Sequence, residues 1–311
     1  MFLSASRRTD IPSYYSDWFF NRVRAGFFLV RNPMNYRQVS KINIAPDTVD
    51  GIVFWTKNPI PMLDRLHELG DYAYCFQFTI TPYGKDVEPN LPSKNGALLP
   101  AFKRLSGAVG ADRVVWRYDP VLINDTYSAE YHVRAFGEMA LELRGYTRKV
   151  TISFIDAGYR EVRNNIKELA LRDFPPDDKI ALASRFAEIA RGCGMEIAAC
   201  AEKTDLRQYG VEPARCVDAR LFSKLSGCRL DVDKDKTQRP ECGCATSIDV
   251  GMYNTCRNGC LYCYANYNRK TVDGNYAAHD PGSPLLSGDI GDGDRISERA
   301  VKSYRTKELL T

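Results

Sequence analysis

Short apolar runs rich in β-branched and aromatic residues alternate with longer amphipathic stretches through the first two hundred positions. The apolar runs predict strands over Phe2–Ser6, Gly51–Trp55, Tyr74–Ile80, Arg113–Tyr118, Lys149–Ile155 and Met195–Cys200. The amphipathic stretches predict helices over Tyr14–Arg24, Met62–Leu69, Leu98–Val109, Ser128–Leu143 and Lys179–Arg191. In the second of these, Leu63, Leu66 and Leu69 share one face. Glycine stands at or just beyond the end of each periodic run (Gly26, Gly70, Gly110, Gly145, Gly192), where a helix stops readily. Six strand–helix alternations imply an α/β chain with a parallel sheet and helices outside. The expected architecture is a partial or closed (β/α)6-type, TIM-like barrel.

In such a barrel, chemistry collects at the C-terminal ends of the strands. Those ends are polar here. They carry Ser4, Ser6, Arg7, Arg8, Thr9 and Asp10; then Trp55, Thr56, Lys57 and Asn58; then Thr79 and Thr81. Arg117, Tyr118 and Asp119 follow, then Ser153 and Asp156, and finally Cys200, Glu202 and Lys203. Taken singly, any of these also serves as a helix cap or half of an ion pair. Taken together they fit a polar cavity at one mouth of the barrel. Arg117 and Asp119 share a strand face and can pair inward. Beyond Lys203 the rhythm fades. One or two short helices are expected within Leu206–Gly227, a polar loop over Asp231–Pro240, glycine-rich loop over 271–294 and a terminal helix over Arg295–Leu310. The expected organisation is a barrel core over 1–203, a cysteine-rich region over 204–270, and a glycine-rich loop with a terminal helix over 271–311.

At 311 residues the chain allows two domains or one large barrel, and 44% apolar with 26% charged residues is ordinary globular composition. Forty-three basic against 39 acidic residues is too balanced to argue for nucleic acid or a membrane surface. No apolar stretch approaches the roughly 18 residues of a membrane span. The N-terminus reaches Arg7 and Arg8 before the apolar core of a secretory leader could form, so a cytoplasmic location is expected. The cysteines change the picture more. Nine of the ten follow position 190, and in a reducing compartment clustered thiols point to metal or redox chemistry rather than disulfides.

The densest motif is Thr255-Cys256-Arg257-Asn258-Gly259-Cys260-Leu261-Tyr262-Cys263. Three thiolates spaced C-x3-C-x2-C on one tight loop can hold one face of a centre but not four corners. A closed zinc site usually draws on paired C-x2-C units instead. A cubane held by three cysteines leaves one iron open. This segment resembles the signature of the radical S-adenosylmethionine superfamily, with Cys256, Cys260 and Cys263 at the ligand positions and Tyr262 at the aromatic near the adenine. The resemblance implies a 4Fe–4S cluster whose open iron is chelated by S-adenosylmethionine. It further implies reductive cleavage of that cofactor to a 5′-deoxyadenosyl radical that abstracts hydrogen from a substrate. A small electron-donor protein such as flavodoxin or ferredoxin is implied as a partner. The whole chain also resembles an uncharacterised bacterial family through SASRRTDIP, FWTKNP, WRYDP and DVGMYNTCRNGCLYCYAN. FWTKNP and WRYDP are similar to stretches in spore photoproduct lyase-like enzymes, where they follow the cluster motif.

Here the motif comes last rather than first. Circular permutation is the economical reading, with Ile248–Asn254 as the strand entering the cluster loop and closing the barrel beside Gly51–Lys57. The superfamily's glycine-rich cofactor stretch is absent, and Thr56 and Lys57 stand in an equivalent place. Arg117, Asp119 and Glu202 complete the candidate cofactor contacts. Cys200, Cys216, Cys242 and Cys244 form a second set, read as an auxiliary 4Fe–4S cluster or as a structural zinc, with Cys228 able to replace one member. Cys75 and Cys193 read as small buried hydrophobes. Tyr118, Tyr262 and Tyr264 either stack on adenine or pack in the core, and His67 and His132 read as surface or satisfied residues. The tail around His279 is either a lid over the cavity or disordered. The substrate (small molecule, peptide or nucleic acid) is open. The competing class is a non-catalytic iron–sulfur or zinc protein for electron transfer or interaction.

Overall fold

Nearly every residue of the first, second and third expected strands is buried, as a parallel sheet covered on both faces requires. In the computed structural model these runs are β1 (Phe2–Ala5), β4 (Gly51–Thr56) and β5 (Tyr74–Thr79). Between β1 and β4 lie β2 (Phe27–Arg31) and β3 (Gln38–Asn43). The structure describes all residues except 157, 159–161, 164, 165, 310 and 311. Beyond β5 come β6 (Val114–Val121), β7 (Lys149–Phe154), β8 (Glu196–Ala199), β9 (Glu212–Pro213), β10 (Cys228–Leu230), β11 (Ser247–Asp249), β12 (Arg295–Glu298) and β13 (Arg305–Leu309). Eight of them build one sheet in the order β11-β1-β4-β5-β6-β7-β8-β9. Every pairing in it is parallel. All six expected strands are in it, and β9 and β11 are its edges.

Alternation along each strand sorts side chains to two faces. Ile52, Phe54, Phe76, Trp116 and Tyr118 join the main core beneath the helices Ser16–Ala25, Leu99–Val109, Ala129–Leu143 and Pro176–Gly192. Stacked rings fill it, with Phe54 on Phe76 at 4.8 Å and Phe136 on Phe186 at 4.3 Å. Phe2, Val53 and Cys75 face the other way, against Phe222 of the helix Ala219–Ser226 and the cysteines at 216, 242 and 244. Gly51 permits that contact, since a Cβ there would lie 2.2 Å from the Phe222 ring. Ser128 caps Ala129–Leu143 by accepting from the Tyr131 amide at 3.2 Å. Gly26, at φ +76°, ends Ser16–Ala25 in the left-handed region that glycine enters freely.

The structure differs from the sequence reading in several places. β2 and β3 form an unanticipated antiparallel hairpin. The expected terminal helix is instead β12, parallel to β3, and β13, antiparallel to β10. Open strand edges recruit this polar segment over its local helical preference. Part of the stretch expected as loop is the helix Arg269–Ala277, started by Asn268, whose side chain accepts from the Thr271 amide at 2.8 Å. Met62–Leu69 lies within a 3₁₀ segment, Ile60–Leu69. The strand entering the cysteine loop is in the sheet but covers only Ser247–Asp249, and it pairs with β1, not β4. No helix among the described residues is long and apolar enough to cross a membrane.

Candidate functional site

Ser6, Trp55, Arg117, Ser153 and Cys200 deliver their side chains to one cavity of about 320 Å³ at the C-terminal ends of the parallel strands. Loop residues Gln238, Arg239, Asn258, Tyr262, Tyr264 and Ala265 also line its wall. Seven cysteines line it: Cys200, Cys216, Cys242, Cys244, Cys256, Cys260 and Cys263. Each is a free thiol.

The loop carrying Cys256, Cys260 and Cys263 has no helix or strand of its own, so its shape depends on bonds to neighbours. The Tyr15 hydroxyl donates to the Thr255 carbonyl at 2.6 Å, and the Tyr14 hydroxyl donates to Asn258 Oδ1 at 2.8 Å. Asn90 Nδ2 donates to the Arg257 carbonyl at 2.7 Å, and the Leu261 amide donates to the Val87 carbonyl at 3.0 Å. Asn266 Nδ2 donates to the Cys256 carbonyl at 2.7 Å. Gly259 turns the loop at φ +70°, and a Cβ there would meet Asn90 Nδ2 at 2.9 Å. Burial pushes all three thiols above their ordinary range, Cys260 to about 12.

Beneath this loop lies Asp10, which is buried and accepts four hydrogen bonds. The donors are the Ser13 amide (3.1 Å), Thr56 Oγ1 (2.7 Å), the Lys57 amide (2.7 Å) and Asn258 Nδ2 (3.1 Å). It therefore ties the end of β1 to the end of β4 and to the cysteine loop. Burial pushes its carboxyl upward while the four donors pull it back. Beside it, Lys57 Nζ pairs with Glu88 Oε1 at 2.8 Å and lies 5.2 Å from the Tyr262 ring centre. Glu88 also binds Lys94, Thr81 Oγ1 and the Tyr262 hydroxyl. Although burial opposes its charge, Lys57 and Lys94 hold the Glu88 carboxyl down at about 2.

In the second cysteine set, Cys200 and Cys216 approach to 3.9 Å, and Cys242 and Cys244 line the same cavity. Among the described residues, no group of three or more His, Cys, Asp or Glu converges on a single-ion position. Arg117 Nη1 donates to Cys216 Sγ at 2.9 Å, and its Nη2 pairs with Asp119, the inward ion pair expected from their strand parity. Gln77 Nε2 donates to the Cys216 carbonyl at 3.0 Å. Arg7 and Arg117 both lie against the Trp55 indole, at 5.0 and 5.2 Å from its centre.

Tyr262, Thr56, Lys57, Arg117 and Asp119 all line the cavity. Glu202 is not among the lining residues. Its Oε1 accepts from the amides of Lys203 (2.9 Å) and Thr204 (3.2 Å), and its Oε2 faces Lys179 at 3.7 Å. Tyr118 belongs to the core face, with its hydroxyl 2.7 Å from His132 Nδ1. His132 is satisfied there, and His67 is exposed. Tyr264 lines the cavity and donates to the Arg7 carbonyl at 2.8 Å. Cys228 is in β10, away from the cavity wall, while Cys75 and Cys193 are buried as expected. The glycine-rich tail is not a lid: its backbone accepts from Trp18, Asn21 and Arg22, and none of residues 271–294 lines the cavity.

Sequence reasoning passed over Asp249 and Glu88. Asp249 accepts from Ser4 Oγ (2.9 Å), Ser6 Oγ (2.5 Å) and the amides of Arg7 (2.8 Å) and Gly251 (3.0 Å), locking β11 to the end of β1. Glu88 lies in a loop with no motif around it. A search of curated proteins gives no match. Residues 2–265 match a family described as a domain of unknown function, DUF1848, and the chain belongs to that family.

Proposed function

We propose that this protein is a radical S-adenosylmethionine enzyme in which Cys256, Cys260 and Cys263 hold a 4Fe–4S cluster with one open iron. One observation carries the reading: a C-x3-C-x2-C loop presents all three thiols, and the tyrosine before the third, to a single cavity at the C-terminal ends of a parallel sheet. The donor set suits the group, since soft thiolates on one loop supply three corners. When bound, the cluster and S-adenosylmethionine supply one-electron reductive cleavage to methionine and a 5′-deoxyadenosyl radical for hydrogen abstraction from a substrate.

The chain's own residues do the holding. Asp10 and Asn258 fix the loop against β1 and β4. Glu88 fixes Lys57 and the Tyr262 hydroxyl, so that the ring and the ammonium keep one arrangement at the cavity wall. Cys200, Cys216, Cys242 and Cys244 are proposed to hold an auxiliary 4Fe–4S cluster, with an electron donor of the flavodoxin or ferredoxin class as partner. A second reading for this set has its own support. That reading is zinc, and it rests on one pair: thiolates about 2.3 Å from a tetrahedral zinc lie roughly 3.8 Å apart, close to the 3.9 Å between Cys200 and Cys216, while no third ligand converges with them among the described residues.

The test is anaerobic reconstitution with iron and sulfide, then S-adenosylmethionine and dithionite, with 5′-deoxyadenosine read by chromatography and mass spectrometry. Its formation, and its loss in the Cys256→Ala/Cys260→Ala/Cys263→Ala variant, is expected. No product at full cluster occupancy, with a cluster spectrum indifferent to the cofactor, overturns the proposal. Iron and zinc content of the triple variant identifies the metal on the second set.

A further inference from the structure

We infer that Arg117, with Arg7 beside the same indole, is the positioning residue that sets the reduction potential of the centre on Cys200, Cys216, Cys242 and Cys244. The inference rests on the reading of those four cysteines as an auxiliary 4Fe–4S site.

Arg117 is 5% exposed and sits on β6, a rigid central strand. Its Nη1 donates to Cys216 Sγ at 2.9 Å, within reach of Gln77 Oε1 at 3.3 Å. Among the described residues, only Asp119 forms an ion pair with it. Arg7 brings a second cation. Its Nη1 reaches Ser247 Oγ at a long 3.5 Å, while its Nη2 is buried with no hydrogen-bond partner. A buried guanidinium nitrogen left unpaired is costly unless an anion occupies the space it faces. Four thiolates around an iron–sulfur core are such an anion, and reduction adds one more negative charge. A fixed cation and a hydrogen bond at a ligating sulfur stabilise the reduced form more than the oxidised form. Trp55, against which both guanidiniums rest, keeps them from swinging to solvent. Among the described residues, Cys256, Cys260 and Cys263 have no arginine donating to a sulfur, and Lys57, which lines the same cavity, is paired to Glu88.

The experiment uses the full chain carrying Cys256→Ala, Cys260→Ala and Cys263→Ala, so that only the second set loads. Iron, sulfide and zinc are quantified, and the midpoint potential is read by a redox titration monitored by electron paramagnetic resonance. Adding Arg117→Met is expected to disfavour reduction at least tenfold, a fall of about 59 mV for one electron. Arg117→Lys, which keeps the charge, should restore most of that fall. Arg7→Gln should shift the potential the same way by a smaller amount, and it decides the matter if Arg117→Met fails to fold or to load. Unchanged or raised potentials at full iron content overturn the inference while leaving the auxiliary cluster standing. A parent that binds zinc, or no metal, overturns the cluster reading itself and the inference with it.

Discussion

Replacing Asp10 by asparagine changes one buried atom and tests how the site is braced. In the native protein Oδ1 accepts from the Ser13 amide and Thr56 Oγ1, and Oδ2 accepts from the Lys57 amide and Asn258 Nδ2. An amide offers one acceptor oxygen. Whichever way it turns, its NH₂ faces two donors. On the Oδ1 side Thr56 can rotate, but its oxygen already accepts from the Asn58 amide at 2.9 Å, and the Ser13 amide is stranded. On the other side the Lys57 amide and Asn258 are stranded together. A buried donor left unsatisfied costs about 1–3 kcal/mol, so one or two such losses total about 1–6 kcal/mol. That is a large part of the roughly 5–15 kcal/mol by which a folded protein is stable. Urea unfolding of wild type and Asp10→Asn should show the midpoint falling with the slope unchanged. On the proposed cluster reading, iron release to a chelator should accelerate where the asparagine NH₂ turns toward Asn258 and unfastens the cysteine loop. A variant within about 0.5 kcal/mol of wild type would refute the argument. It would mean that burial has won, that Asp10 is already a neutral acid, and that asparagine merely reproduces it.

Glu88→Gln leaves the half-buried Lys57 and Lys94 without their shared counter-charge and should cost up to about 3 kcal/mol, measured by chemical denaturation. Gly259→Ala should lower cluster occupancy without altering the far-UV spectrum, since its Cβ must displace Asn90 and the residue must keep φ +70°. His132, between the Tyr118 hydroxyl and the Leu122 carbonyl, is held neutral by burial to about pH 4 against 6.5 in an open chain. Between those values the unfolded chain binds the proton first, so stability is complete above pH 6.5 and is lost as pH falls toward 4. The loss is at most about 3 kcal/mol, read as a pH slope that His132→Gln flattens. Glu202→Ala should leave cofactor binding unchanged by calorimetry, because Glu202 lies off the cavity wall.

The six long strands were legible because burial on both faces demands unbroken apolar runs, and Trp55, Arg117 and Cys200 were legible as residues at strand ends. β9 and β11 were not, since strands of two and three residues carry too little pattern to stand above their loops. The terminal segment was misleading for the opposite reason: its local preference is helical, and a sheet edge elsewhere in the chain outvotes it.

By itself the sequence determined the parallel α/β plan and the cysteine spacings, because periodicity and spacing are local and survive without knowledge of neighbours. Tertiary structure alone decided that seven thiols share one cavity, that Asp10 and Asn258 meet across 248 positions, and that Arg117 rests on Cys216 while Glu202 turns away. Those are contacts between segments far apart along the chain. No local preference encodes them, and they exist only once the hydrophobic faces of the sheet have closed and brought the strand ends together.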